Sequence, residues 1–92
     1  MTISYMQILH VLNEEDIEGL FRTGAPRDEY ESEAKLIAQA VTQAGGLPIT
    51  EERLAALVGD AWQRMFGLSK EQSRQRREAF QRVAQRILAV HQ

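Results

Sequence analysis

The sequence predicts an all-α fold, a compact four-helix bundle-like single domain over residues 1–92 with short loops. Apolar residues recur at three- and four-residue spacing through most of the chain, and no stretch shows the alternation of a strand. Glycine and proline divide the chain into four segments of helical length. The balance of 43% hydrophobic and 26% charged residues is ordinary for a globular protein and argues against intrinsic disorder.

The first predicted helix covers residues 2–13, with Thr2 as its N-cap and an apolar stripe that includes Met6, Leu9 and Leu12. Residues 16–21 allow two interpretations, a second short helical turn or an extension of the first helix. Gly19 and Gly24 weaken any long helix here, because glycine has a low helix propensity.

The second helix is expected to begin at Pro26, because the first position of a helix does not need the N–H that proline lacks. Asp28 and Glu29 would then lie in its first turn, where carboxylates complement the helix dipole. Gly45 and Gly46 should end it. The stripe predicted to face the core consists of Tyr30, Ala34, Ile37, Ala38 and Val41.

The third and fourth helices carry clear end signals. Thr50 is the expected N-cap of the third helix and Gly67 its C-terminal stop. Ser69 and Gln72 have the spacing of a capping box that opens the last helix, whose apolar face starts at Phe80. The residues expected to face the core from the third helix are Leu54, Leu57, Val58, Ala61, Trp62 and Met65.

The sequence contains few of the residues and motifs that are typical of catalytic or metal-binding sites. It therefore predicts a protein without catalytic residues, cofactor or metal. The absence of cysteine excludes disulfides and thiolate zinc sites. No serine lies in a Gly-x-Ser-x-Gly motif, and no glycine pair is followed by the Lys-Ser/Thr of a P-loop. His10 could pair with Glu14 one turn later, but a lone histidine on a helix flank is usually structural.

The start of the chain lacks a signal-peptide pattern, and the longest apolar runs are only a few residues. We therefore expect a cytoplasmic protein that does not contact a membrane.

An acidic run around one tyrosine is the most distinctive local feature. We name Asp28, Glu29, Tyr30 and Glu33 as the candidate partner-binding residues, which could form a docking surface for a basic protein. The alternative is a solvated helix start that matches the helix dipole, with Tyr30 packed at the edge of the core. A metal site is disfavoured because successive carboxylates on a helix do not converge on one point.

Charge is distributed unevenly along the chain, whose net charge is −2. Residues 1–60 hold four basic and eleven acidic side chains, whereas residues 61–92 hold seven basic and two acidic ones. The basic half could contact nucleic acid, but the overall charge is acidic and no aromatic residue lies among the arginines. The other possibility is that the basic half pairs with the acidic half. The basic residues are Arg64, Lys70, Arg74, Arg76, Arg77, Arg82 and Arg86.

Several segments resemble the small bacterial YugE-like proteins. Residues 12–17 (LNEEDI) are similar to their Leu-Asn-x-Trp-Asp-Pro stretch, and residues 24–33 (GAPRDEYESE) to their Gly-x-Pro-x-Asp-Glu-Tyr-Asp-x-Glu signature. Residues 54–58, 64–68 and 83–88 resemble the later helices. Glu15 and Ile17 stand at the positions where the family has Trp and Pro.

The resemblance implies a compact helical fold without assigned activity, among relatives that resemble immunity-type partners of bacterial toxins. It also implies that a shared contact surface would include Asp28, Glu29, Tyr30 and Glu33. The leading hypothesis is therefore a non-enzymatic bacterial protein that binds another protein, such as a toxin. A nucleic-acid-binding module that uses the last helix is the alternative. Self-association through Trp62 and Phe66 is a third possibility.

Overall fold

The computed structural model describes residues 4–24 and 29–90, and within these ranges it contains helices and no strand. The all-α prediction is therefore confirmed. A single turn of 3₁₀-helix lies at Phe21–Thr23. The α-helices are α1 (Tyr5–Glu15), α2 (Glu31–Gln43), α3 (Glu51–Phe66), α4 (Lys70–Gln75) and α5 (Arg77–Val90).

Four of these helices form a closed ring around the core. Helix α1 packs against α2 and α5, and α3 packs against the same two helices from the other side. The short helix α4 connects α3 to α5 and packs on α5. Each long helix contributes fully buried side chains to the centre, among them Ile8, Leu12, Ile37, Leu54, Trp62 and Ile87. The stripes that the periodicity predicted therefore meet in one interior. Met6 and Met65 are exceptions, because both were predicted to face the core and both are exposed.

The predicted start of the first helix is wrong. Ser4 occupies the N-cap position, and Thr2 lies outside the described residues. The helix ends at Glu15 because Asp16 adopts a left-handed conformation with φ of 44°, which α-helical geometry does not allow. Residues 16–20 consequently form a turn that leads into the 3₁₀ turn, and they do not extend α1.

The second helix begins later than predicted. Its first residue is Glu31 with Tyr30 at the N-cap position, so Glu29 precedes the helix. Pro26 and Asp28 lie outside the described residues. The Tyr30 hydroxyl is held by Asp16 in the interior. We attribute the late start to this anchor, because it fixes the chain just before the helix begins.

The predicted end signals of the remaining helices are confirmed. Helix α2 ends just before Gly45 and Gly46, which both have positive φ. Thr50 Oγ1 accepts a hydrogen bond from the backbone N–H of Arg53, and Gly67 ends α3 in the left-handed conformation.

The last helical segment is interrupted, although its sequence reads as one helix. The capping box is present, with Ser69 and Gln72 bonded in both directions. Arg76 then breaks the segment into α4 and α5, because its backbone N–H bonds to Ser73 in a tighter turn. None of the helices in the described part is long and apolar enough to cross a bilayer.

Candidate functional site

The predicted partner-binding residues are divided between the surface and the interior. Tyr30 is 0% exposed and Glu33 is 4% exposed, whereas Glu29 is exposed. Asp28 lies outside the described residues. The partner-binding role of Asp28, Glu29, Tyr30 and Glu33 remains a prediction. Within the described part, Glu29 is the member of the set that a protein could contact directly.

Glu33 is a buried carboxyl with one unsatisfied oxygen. Its Oε2 atom is buried and has no hydrogen-bond partner in the part of the chain that the structure describes. Burial raises the pKa of this carboxyl above its ordinary value and outweighs a hydrogen bond from its own backbone N–H, and the negative charge of Glu29 raises the pKa further. Glu33 therefore costs stability when it is ionised, whereas the sequence had suggested either a docking surface or a solvated helix start.

A second carboxyl, Glu18, is the centre of a polar cluster that sequence reasoning missed. Its Oε2 accepts hydrogen bonds from Trp62 Nε1 at 2.8 Å and from Arg76 Nε at 2.6 Å. Its Oε1 accepts from Arg76 Nη2 at 2.9 Å, so the arginine binds it in a bidentate manner. The Arg76 guanidinium lowers the pKa of Glu18 below its ordinary value despite partial burial.

Tyr30 belongs to the same cluster. Its hydroxyl donates to Asp16 Oδ1 at 2.6 Å and accepts from the backbone N–H of Glu18 at 3.2 Å. Its ring stacks on Trp62 with 5.6 Å between the ring centroids. Burial, followed by the bond to Asp16, raises the pKa of the Tyr30 hydroxyl. The polar groups of the cluster are engaged with one another, which is the arrangement of a structural anchor.

The acidic and basic halves of the chain pair directly, as one of the sequence interpretations predicted. Glu15 accepts hydrogen bonds from Arg82 at 3.2 Å and from Arg86 at 3.1 Å, and Glu14 also binds Arg86. These contacts join the end of α1 to α5. Together with the bond from Arg76 to Glu18, these contacts engage three of the seven basic residues that the nucleic-acid-binding alternative would use.

The possible histidine site is an exposed ion pair. His10 Nε2 lies 3.1 Å from Glu14 Oε1, and the two side chains are 70% and 47% exposed. Because both side chains are this exposed, the geometry of the pair resembles that of a surface contact. Within the described residues, no group of three or more His, Asp or Glu side chains is placed to hold a metal ion.

One concave feature of the described surface is a groove of about 600 Å³ between α3 and the α4–α5 segment, called the α3/α5 groove below. Its floor is apolar and made of small residues and one aromatic ring: Ala55, Ala56, Gly59 and Phe80. A Cβ on Gly59 would lie 3.3 Å from the Phe80 ring, so the absence of a side chain there lets α5 pack closely on α3.

The two walls of the α3/α5 groove carry opposite charges. Glu52 and Asp60 line the α3 wall, whereas Lys70, Arg74 and Arg77 line the other. Within the described residues, Arg74 forms an ion pair with Glu71 at 3.5 Å, and this pair is well exposed. The other four charged side chains form no ion pair there. The groove thus combines an apolar floor with charges that the fold does not use.

The aromatic end of α3 is mostly internal. Trp62 is fully buried and its ring contacts Phe66 and Phe80, with centroid distances of 5.4 and 6.2 Å. Phe66 is half-buried and Met65 is exposed. The large apolar area of Trp62 is therefore buried within its own chain and does not form a dimer patch.

Comparisons with known proteins return no matching family model, no similar curated protein and no similar solved structure. The resemblance to YugE-like proteins therefore remains a prediction from the short segments quoted above. Function has to be argued from the surface of the molecule itself.

Proposed function

We propose that this chain is a cytoplasmic bacterial protein that acts without catalysis, by binding another protein through the α3/α5 groove. The observation that carries the proposal is the groove itself. It offers a small-residue floor between walls on which four of the five charged side chains form no ion pair among the described residues, whereas Arg76, Arg82 and Arg86 are engaged inside the molecule. Protein interfaces commonly combine an apolar centre with a polar rim.

The chemistry of the α3/α5 groove favours a protein over a nucleic acid. A phosphate backbone that met Arg74 and Arg77 would also approach Asp60 and Glu52 on the facing wall. Carboxylates repel phosphate, so this arrangement weakens nucleic-acid binding. The aromatic ring of the groove, Phe80, is only 6% exposed and offers little surface for stacking on a base. An extended protein surface with charges of both signs fits the groove better.

A toxin is the first partner to test, because the resemblance to YugE-like proteins implies immunity-type relatives. Such a protein would neutralise its toxin by covering a surface that the toxin needs. The exposed Glu29 is a second candidate contact, and it lies just before the start of α2. Charge reversal at Glu29 should slow association at low salt if this surface takes part.

Site-specific photo-crosslinking in the native cells tests the proposal. A photoreactive amino acid at Ala56, on the floor of the groove, should yield a defined covalent complex with another protein. The matched control is the same residue at Gln7, an exposed position on α1 that does not line the groove, which should give none. Equal crosslinking from both positions, or none from Ala56, would contradict the proposed function.

A further inference from the structure

We propose that the occupant of the α3/α5 groove is an amphipathic α-helix of about three turns that carries acidic residues along one flank. This inference rests on the proposed function and specifies the kind of partner. Three features of the groove support it: the length of the groove, its floor and the order of charges on its walls.

The length of the groove sets the length of the helix. The α3 wall runs from Glu52 to Gln63, and eleven residues of α-helix span about 16 Å, or three turns. The opposite wall runs from Lys70 to Gln81, so both walls present stripes at three- and four-residue spacing. Two such stripes side by side form a groove into which a ridge of side chains on a further helix can pack.

The floor of the groove is suited to close approach by a helix. Ala55, Ala56 and Gly59 carry at most one side-chain carbon each, so the backbone of a partner can come near α3. Phe80 closes the bottom against α3. The apolar face of the partner would bury against these residues, and this burial would supply the main attraction.

The charges on the groove wall indicate which side chains flank the apolar face of the partner helix. Lys70 and Arg74 lie one turn apart on α4, which matches carboxylates at positions i and i+4 of the partner, and Arg77 continues the row of cations at the start of α5. Neither Lys70 nor Arg77 forms an ion pair in the part of the chain that the structure covers. Both therefore remain available for an acidic flank.

The experiment is a selection of 16-residue helix-forming peptides displayed on phage against the full chain. We expect the enriched peptides to share an apolar stripe flanked on one side by acidic residues at one-turn spacing. Binding of the best peptide, measured by fluorescence anisotropy, should weaken about tenfold or more in the Arg74→Glu, Arg77→Glu double variant. Ala56→Glu should also weaken it, because the new side chain blocks the floor and repels acidic residues.

The matched control is Arg53→Glu, which reverses an exposed cation of α3 outside the groove and should leave affinity within about twofold. Circular dichroism of each variant verifies that the helices are retained. The inference is overturned if the selected peptides are basic or uncharged, if no peptide is enriched, or if the groove variants bind as tightly as Arg53→Glu.

Two other occupants would give distinct results. A second copy of this chain would appear as a crosslinked dimer from Ala56 and as a doubled mass in light scattering. A single-stranded oligonucleotide that displaced the selected peptide and bound more tightly would assign the groove to nucleic acid. Either result would overturn the inference that the occupant is an acidic helix.

The two proposals can fail separately. If Ala56 crosslinks a cellular protein whose binding segment is not acidic, only this inference fails. If acidic peptides bind but no cellular protein is crosslinked, the proposed function fails.

Discussion

At the scale of single residues, two buried glutamates show how differently the same side chain can behave. Glu18 is held by Arg76 and Trp62, so its ionised form is favoured and its pKa is lowered. Glu33 is more deeply buried, but its Oε2 lacks a partner in the described residues and its pKa is raised. Burial destabilises a charge unless a hydrogen bond or an opposite charge compensates it.

Replacement of Glu33 by Gln should stabilise the protein at neutral pH by about 1 kcal/mol, because it removes a charge that is poorly solvated. Since the pKa of Glu33 is raised on folding, its penalty grows as pH rises from the ordinary carboxyl pKa through the raised value. The gain should therefore shrink at about pH 4, where the carboxyl is largely protonated. Urea unfolding at both pH values provides the measurement.

The control for this prediction is Glu52→Gln, which changes an exposed carboxyl and should shift the free energy of unfolding by less than about 0.5 kcal/mol. A loss of stability at neutral pH in Glu33→Gln would contradict the interpretation. So would a gain of equal size at both pH values.

At the scale of helices, local signals decided some boundaries and tertiary contacts decided others. Thr50, Gly67 and the box of Ser69 and Gln72 act within a few residues, and each fixes the helix end that it predicted. The start of α2 was mispredicted because Tyr30 is held from outside its own segment, by Asp16. A long-range hydrogen bond of this kind produces no periodic pattern in the sequence from which it could be predicted.

Substitution of Thr50 by Ala should cost about 1 kcal/mol of unfolding free energy, because the backbone N–H of Arg53 loses its acceptor. Thr42→Ala is the matched control. Thr42 is also exposed, but its hydroxyl bonds within its own helix to Ala38 O, and alanine is the better helix former there. Thr42→Ala should therefore be neutral or slightly stabilising. Equal losses in the two variants, measured by urea unfolding, would refute a specific capping role.

At the scale of the whole molecule, long-range charge pairs hold the two halves of the chain together. The turn after α1 is tied to the junction of α4 and α5 by Glu18 and Arg76, and the end of α1 is tied to α5 by Glu15 with Arg82 and Arg86. The first pair is the most protected of these, with side chains that are 13% and 25% exposed. It should contribute the most, because exposed pairs are weakened by solvent.

Arg76→Gln should lower the free energy of unfolding by about 2 kcal/mol, since it leaves Glu18 and Trp62 without the cation that completes their cluster. Arg74→Gln removes an arginine from an exposed pair and should cost less than about 0.5 kcal/mol. Because the pKa of Glu18 is lowered on folding, the stabilisation should be present at neutral pH and be lost as pH falls through the lowered value.

Thermal and urea unfolding of both variants, at neutral and acidic pH, measure these differences. A loss in Arg76→Gln no larger than that in Arg74→Gln would show that the cluster does not anchor the fold. A loss in Arg76→Gln that stayed constant down to acidic pH would lead to the same conclusion.

The sequence by itself determined the fold class, the core stripes and most helix ends, because hydrophobic periodicity and capping act over one or two turns. It also indicated that the halves of opposite charge could pair. It could not reveal that Glu18 would meet Arg76, 58 residues later, or that Glu33 would be buried without a partner. Only the tertiary structure decided these points and placed the unused charges along the α3/α5 groove, because such contacts depend on how the helices pack and not on the spacing within any one of them.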